Sequence, residues 1–336
     1  MTATLASLAR QAGVDPSLVS RVLRGDPSAR VSKEKRARIL ELARATGYRA
    51  NRLAKSLRTQ KTMILGMLTP DITNPFHSWL FRAVEERANA AGYDVILCNT
   101  DDDPERSRKV IRTLSEGHID GLLVATARKD DSSIEFLREI GMPYVLLNRH
   151  RGNLDEPGYG PDAYRAGWIG GEHLIGLRHR RIGFLQGDLA VGQMADRLSG
   201  FRAVMASHDL PVDDNLVITG LKSRSEASAA TNRLLRLPAS RRPTAIFVPN
   251  TILTDGVIHA VHNARLRVPE EMSILGYSAG SAPEVTSLCV PTAEIGHRAT
   301  DHLIGFLATG ANGPVPGGFV HVDVEIVDRG TTAPPR

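Results

Sequence analysis

The sequence predicts two fold classes in one chain: a small all-α unit containing a helix-turn-helix, then a larger α/β region with two doubly wound lobes. Three observations predict this. Apolar residues recur at helical spacing on both sides of a glycine turn between Leu5 and Leu23. Positive charge is confined to the first fifth of the 336 residues. From Met63 onward, short apolar runs alternate with amphipathic helical stretches, the mark of parallel sheets covered by helices.

Helix one is expected from Leu5 to Ala12 behind a Thr4 cap, with Leu5, Leu8, Ala9 and Ala12 on its inward face. Gly13 can take the left-handed conformation that ends a helix. Asp15 then caps helix two and Pro16 opens it, at a position where a missing N–H costs nothing. Leu18 or Val19, Val22 and Leu23 supply its buried side; Ser17, Ser20, Arg21 and Arg24 form its outer face. Two short helices joined by a tight turn match the pattern whose second helix enters the DNA major groove. Arg21 suits a guanine edge or a phosphate, and Ser20 a phosphate or a base. Ser32 caps a third helix that ends at Thr46 before Gly47. Ile39, Leu40, Leu42 and Ala43 are expected to face the core, leaving Lys33, Lys35, Arg36 and Arg38 for phosphates. Behind Tyr48 and Asn51, Leu53, Ala54 and Leu57 share one side of a segment too short to be a stable helix alone. Against DNA it can order and wedge an apolar side chain into a minor-groove step; the plainer alternative is a linker.

Charge agrees with a nucleic-acid partner. Residues 1–61 hold 14 Lys and Arg against 4 Asp and Glu, a net charge of +10, while residues 62–336 hold 28 against 33, a net charge of −5. Concentrated cations on a small unit are the footprint of phosphate binding through counterion release, although charge by itself equally describes a solvated basic face. Cys98 and Cys289 are far apart, match no metal-ligand spacing and read as reduced thiols. Arg10 interrupts the one candidate signal peptide, and no apolar run approaches the ~20 residues of a membrane span. These readings point to a cytoplasmic protein without a membrane segment, cofactor or metal. The tail from Thr331 to Arg336 reads as a frayed end.

In the larger region, strands are expected at Met63–Leu68, Val95–Cys98, Gly121–Ala125, Tyr144–Leu147, Ile182–Leu185, Ala245–Val248 and Ser273–Gly276. Asn74 caps a helix opened by Pro75, with Leu80, Val84, Ala88 and Ala91 facing inward, and another helix runs from Pro104 to Glu116. The Gly- and Pro-rich stretch from Gly152 to Pro161 marks a passage between lobes.

Several motifs stand out together: Gln11-Ala12-Gly13-Val14, Val19-Ser20-Arg21-Val22-Leu23, Gly47-Tyr48-Arg49 and Asn51–Leu57 in the head. In the larger region they are Thr69-Pro70-Asp71-Ile72-Thr73-Asn74-Pro75-Phe76, Gly117–Leu123, His173–Ile182, Arg197–Phe201 and Val268–Ser273. With these motifs the chain resembles the lactose-repressor/galactose-repressor (LacI/GalR) family of bacterial transcription regulators. The resemblance implies a periplasmic-binding-protein type I-like effector domain with three crossovers and a ligand cleft. It implies a helix-turn-helix domain over 1–47, a hinge helix or linker over 48–61, and a two-lobed effector and dimerisation domain over 62–330. Lobe 1 would take about 62–160 and 292–318, and lobe 2 about 161–291 and 319–330, with 331–336 as the tail. It further implies that residues 16–18 and Arg21 read the major groove, that Tyr48 and Asn51 touch backbone, and that paired Leu57 side chains enter the central minor groove. The candidate DNA contacts are thus Leu5, Pro16, Ser17, Leu18, Ser20, Arg21, Arg24, Arg30, Ser32, Tyr48, Asn51 and Leu57. Asp15 stands where relatives usually have serine, Leu18 where they have threonine and Ala50 where they have proline, departures that bear on the operator sequence.

Ligands of open parallel sheets bind beyond the carboxyl ends of strands. That rule selects Phe76, His77, Asn148, Arg149, Arg197, Asn250 and Ser278, positions that relatives use for effector, and Lys222 falls near another such position. Sugar-binding relatives often carry aspartate where this chain has Asn148, Thr251 and Ser278. Loss of anions with Arg149 and Arg197 retained favours an anionic effector; the alternative is a neutral ligand with Arg149 in a structural pair. A lone histidine such as His77 is as readily a packing residue.

Gly276-Tyr277-Ser278-Ala279-Gly280 also fits the nucleophile elbow of a serine hydrolase. Glu294 and His297 would have to complete the triad from one helix start, and a hydrolase gives no reason for the head. A transport binding protein would share the lobes but not the head. The favoured reading is a non-enzymatic, operator-binding repressor. It would act as a homodimer on a palindromic site, with a small-molecule effector shifting the population of lobe and hinge states.

Overall fold

The computed structural model describes residues 4–23, 26, 28–48, 61–129, 132–152, 154–279, 285–311 and 313–336. The chain divides into two compact units, Met1–Thr62 and Met63–Arg336.

The first unit holds α1 (Leu5–Ala12), α2 (Pro16–Leu23) and α3 (Lys33–Ala45). Thr4 caps α1 reciprocally: Ser7 N donates to Thr4 Oγ1 at 3.1 Å and Thr4 N to Ser7 Oγ at 2.9 Å. Gly13, at φ 62, ends the helix in the left-handed region where a side chain would be strained. Asp15 Oδ1 accepts from Ser17 N at 2.7 Å and so caps α2. Leu8, Ala9, Val19, Val22, Ala29, Ile39 and Ala43 form the core. Leu40, expected inside, is exposed instead, because the α3 stripe that faces α1 and α2 runs through Ile39 and Ala43, four residues apart.

The second unit contains two six-stranded sheets. Lobe 1 comprises β1 (Ile64–Thr69), β2 (Asp94–Asn99), β3 (Gly121–Val124), β4 (Tyr144–Leu147), β5 (Gly158–Pro161) and β11 (Phe319–Val322), in the order β2-β1-β3-β4-β5-β11. Lobe 2 comprises β6 (Ile182–Leu185), β7 (Val217–Ile218), β8 (Ala245–Phe247), β9 (Ser273–Ala279), β10 (Ser287–Val290) and β12 (Glu325–Val327), in the order β7-β6-β8-β9-β10-β12. The two orders are the same, and every pairing is parallel except β10 with β12. In each lobe the winding reverses beside the first strand, between β1 and β3 and between β6 and β8, which opens a crevice at the strands' carboxyl ends.

Helices α4 (Pro75–Ala90), α5 (Pro104–Ser115), α6 (Ser133–Glu139), α7 (Ala163–Gly176), α8 (Gly192–Ser207), α9 (Arg224–Leu235), α10 (Thr251–Asn263) and α11 (Thr292–Ala308) cover the sheets. Ala91 is the exposed C-cap of α4 rather than part of its inward face. The chain passes between lobes after β5, after β10 and after β11. Two expectations are corrected here. Residues 319–322 belong to lobe 1, where β11 pairs with β5 from Phe319↔Gly158 to Val322↔Pro161, so the last passage falls after them. The tail is also not frayed. Ile274 N donates to Thr331 O at 2.8 Å, Ala333 N to Ser273 Oγ at 3.0 Å, and Thr332 Oγ1 lies 2.9 Å from His173 Nε2, so the tail lies along β9 as added backbone. Strands β5, β7, β10, β11 and β12 are short, edge-placed or glycine-rich and carry no alternation to announce them. Among the described residues no helix is long and apolar enough to cross a membrane.

Candidate functional site

In the head, the cap and turn residues orient α2 so that Pro16 and Ser17 are exposed while Leu18, Ser20 and Arg21 are half-buried at its flank. Arg30 and Ser32 are exposed beside the start of α3, Ser32 accepting from Lys35 N at 3.3 Å. Leu5, Leu18 and Tyr48 pack partly against the core, so any DNA contact they make uses only the remainder of each side chain. Hydrogen bonds from Ser17, first its side chain and then its backbone, hold the Asp15 carboxyl below the ordinary carboxylate range. The α2 N-terminus, a place where a phosphate can otherwise bind, thus carries its own fixed anion. Arg24, Asn51 and Leu57, and with them the proposed hinge wedge, lie outside the described residues.

In the second unit the crevice forms two adjoining chambers. Asn74, Phe76, His77, Asn148, Arg149, Val191, Gln193, Met194, Arg197, Asn250, Thr251 and Tyr277 line the inner one. The outer chamber adds Asp71, Asp101, Asp102, Arg128, Asp188 and Lys222, among others. Phe76, His77, Asn148, Arg149, Arg197 and Asn250 are therefore gathered in one place, with Lys222 exposed at the mouth.

Local structure explains each placement. Asn148 follows β4 at φ 63, a left-handed position that asparagine tolerates. The turn there brings Arg149 N within 2.6 Å of Leu147 O and delivers both side chains to the crevice. Asn74 and Asn250 cap α4 and α10 through Oδ1, accepting from Phe76 N at 3.1 Å and from Leu253 N at 3.3 Å. Arg197 lies on α8, which approaches α7 so closely that a Cβ on Gly167 would sit 1.9 Å from Arg197 O. Its guanidinium donates to Pro249 O at 3.1 Å and to Tyr277 OH at 2.9 Å, and lies 4.2 Å from the Tyr277 ring centroid. Burial, and then the nearby Arg149 charge, push the His77 imidazole down to about 3, so it is neutral. Burial likewise raises the Tyr277 phenol above its ordinary value.

The outer chamber is tied by ion pairs. Arg149 Nη1 lies 2.6 Å from Asp102 Oδ1. Arg128 Nη1 is 3.2 Å from Asp102 Oδ2, and Arg128 Nη2 is 3.2 Å from Asp188 Oδ2 across the cleft, linking lobe 1 to lobe 2. Arg149 is thus engaged in a structural pair, which removes it from the argument for an anionic ligand.

Ser278 is a correction. It lies inside β9, fully buried, with Oγ 3.1 Å from Cys289 Sγ, and it lines neither chamber. Successive strand residues face opposite sides, so it is Tyr277, one position earlier, that reaches the cleft. The same geometry removes the elbow, since a nucleophile stands exposed on a strand-to-helix turn, whereas Ser278 is buried within β9, one residue before its end and paired in register with Cys289. Sequence reasoning also missed Gln193, Arg128 and Asp102. Gln193 follows β6 at the start of α8, where the carboxyl-end rule could have found it; nothing local marks the ion-pair partners.

Four buried polar atoms of the inner chamber have no hydrogen-bond partner among the described residues: His77 Nδ1, Asn148 Oδ1, Gln193 Nε2 and Arg197 Nε. Unmet polar atoms are costly in a closed core, and their convergence in one crevice makes it the candidate ligand site.

Known proteins match both units. The family described as "Bacterial regulatory proteins, lacI family" covers residues 4–51, and "Periplasmic binding proteins and sugar binding domain of LacI family" covers residues 62–314. The HTH-type transcriptional regulator DegA of Bacillus subtilis (strain 168) is 30% identical over 304 residues, which span 88% of this chain and 89% of the relative. The ribose operon repressor of Escherichia coli (strain K12) is 32% identical over 308 residues, 90% of this chain and 92% of the relative. The lac repressor dimer bound to operator and the anti-inducer ONPF has a TM-score of 0.81 at 21% identity, covering 99% of this chain and 100% of that one, a likeness of fold. The chain belongs to the LacI family of bacterial transcriptional regulators, with a helix-turn-helix DNA-binding domain joined to a two-lobed, periplasmic-binding-protein-like ligand domain.

Proposed function

We propose that the protein is a cytoplasmic, non-enzymatic repressor that binds a palindromic operator as a homodimer and is switched by a small molecule in the cleft of its second unit. One observation carries the reading: a chain with a net charge of +10 on its helix-turn-helix end also holds a crevice with four buried polar atoms that have no partner among the described residues. The first binds phosphates and base edges; the second needs a polar ligand. Two copies would let a two-fold protein meet a two-fold site. Leu57, in the hinge, would wedge the minor groove and bend the site. Ligand would shift the balance between lobe arrangements, and with it the order of the hinge.

The test is binding of the full chain to DNA selected from random duplexes, by fluorescence anisotropy over a salt series. Affinity falls steeply with salt, and the complex carries two chains. Arg21→Ala costs about 1–3 kcal/mol on the selected site and little on random DNA, whereas Lys33→Ala weakens both alike. Leu57→Ala reduces the bend angle. Absence of salt-sensitive binding to any selected duplex would end the reading, and equal losses for the two head variants would reject their assigned roles.

A further inference from the structure

If the cleft takes a regulatory ligand, as proposed above, its hydrogen-bond inventory narrows the ligand's chemistry. The inner chamber is rich in donors. Arg197 Nε and Gln193 Nε2 are buried donors without a partner among the described residues. The side-chain oxygens of Asn74 and Asn250 are consumed as helix caps, which leaves their amide NH2 groups for a ligand. Val191, the N-cap of α8, offers no side-chain hydrogen bond, and the N-termini of α4, α8 and α10 all line the same chamber, each adding the positive end of a helix dipole. Against these stand few acceptors: Asn148 Oδ1 is unpartnered, and His77 Nδ1 belongs to a neutral imidazole.

Charge points the same way. Among the described residues no carboxylate lines the inner chamber. Three of the four in the outer chamber are ion-paired, and the fourth is held only by its own turn. Asp101 pairs with Arg106, Asp102 with Arg128 and Arg149, and Asp188 with Arg128, while Asp71 accepts from Thr73 N at 2.8 Å and from Thr73 Oγ1 at 2.7 Å. Arg197 is buried and meets only a carbonyl, a phenol and an aromatic face, so its charge is matched by no carboxylate among the described residues. A buried guanidinium without a counter-charge is costly, and a ligand anion would relieve it. A sugar hydroxyl brings a proton that needs an acceptor; a carboxylate or phosphate oxygen brings none and fits a donor-rich wall. Phe76 and Tyr277, 6.5 Å apart between ring centroids, offer apolar surface to the rest of the molecule.

We propose that the inner chamber holds the oxyanion end of an acidic metabolite, a carboxylate or phosphate group, anchored by Arg197 with Gln193 as the second donor. Arg149 takes no part, because Asp102 already neutralises it.

The experiment uses the full chain, Arg197→Gln and Gln193→Glu, melted in acetate or inorganic phosphate against chloride at equal ionic strength. General salt effects and anion binding to the basic head are common to all three proteins and cancel. One or both oxyanions raise the melting point of the second unit in the wild type and lose that effect in both variants; which of the two acts separates carboxylate from phosphate. Calorimetric titrations then compare galacturonate with galactose and ribose 5-phosphate with ribose, and one acid binds about tenfold or more tightly than its neutral partner. Equal oxyanion effects in all three proteins, or a neutral sugar binding at least as tightly as its acid, would overturn the proposal. Should Arg197→Gln fail to fold, Gln193→Glu, which sets a carboxylate against the anion, decides alone. A neutral sugar that binds and alters DNA retention sinks the anion assignment but keeps the regulatory reading. An acid that binds without altering DNA retention does the reverse.

Discussion

The head and the effector unit reach stability by different routes. The head's core comes from contacts close in sequence, and its punctuation is local: Thr4, Gly13, Asp15 and Ser32 each act on the next turn of chain. The effector unit closes over long distances. Strand β11 returns to β5 about 160 positions away in the chain, and the tail after Thr331 lies along β9. The head is therefore small and easily lost, while the effector unit is robust but sensitive wherever distant segments come closest.

The largest test of that contrast is Gly167→Ala. A methyl group there would fall 1.9 Å from Arg197 O, backbone that cannot yield without moving α8. We expect a loss of about 3 kcal/mol or more in the second unit, with effector binding abolished because Arg197 shifts. Calorimetry resolves it as a lowered main transition, with the head's unfolding unchanged. An unmoved main transition would mean that α7 and α8 are not in backbone contact. Ile39→Ala is the mirror experiment. Ile39 is fully buried in a core of few residues, and its truncation costs about 2–4 kcal/mol. A unit this small has little stability to lose, so DNA binding disappears at a temperature where the cleft still binds ligand. Joint loss of both functions would break the independence of the two units.

Acid separates them more gently. The head has no histidine; the first in the chain is His77. Burial holds His77 at about 3 against an ordinary 6.5, and burial also lowers His150, His173 and His179. The unfolded chain binds these protons near pH 6.5 and the folded unit does not, so their stabilising effect is complete above 6.5 and declines as pH falls toward 3. One pH unit below the unfolded value, His77 alone costs about 1.4 kcal/mol. Between pH 7.5 and 5.5, we expect the second unit's midpoint to fall and the head's to hold, with His77→Gln flattening the slope. A second unit insensitive to this range would contradict the burial of these imidazoles.

The same contrast governs what could be read in advance. In the head, periodicity and caps located three helices, because each signal acts within one or two turns; only Leu40 was placed on the wrong side, a matter of where one stripe ends. In the effector unit, seven strands with continuous apolar runs were legible, whereas β5, with Gly158 and Gly160, and β11, defined by its partner, were not. The cleft residues at strand ends followed from topology, and Arg197, Asn148 and Asn250 meet there. Ser278 failed by a single step of strand parity, which the sequence fixes only when one face is polar; β9 is buried along its whole length. The Arg128 network depends on what the two lobes bring together, a fact that no local pattern records, whereas Gln193, at the start of α8 after β6, lies within reach of the carboxyl-end rule.

The smallest expected effect concerns that network. Arg128 holds Asp102 in its own lobe and Asp188 in the other, both at 3.2 Å, so one side chain bridges the cleft mouth. Arg128 is largely enclosed, but Asp102 and Asp188 keep 31% and 46% of their side-chain exposure, so screening keeps the contribution to stability low, about 1 kcal/mol or less. Its position gives it leverage that its energy does not. Asp188→Asn removes the cross-lobe charge while Asp102 keeps Arg128 in place, so the ligand-free effector unit should sample wider lobe separations at an almost unchanged melting point. Small-angle scattering reads this as a larger radius of gyration for the variant, and added salt should bring the wild type toward the same value. If the scattering curves of variant and wild type coincide, the lobes are held by their packed crossovers alone and Arg128 is a surface ion pair without a role in cleft opening.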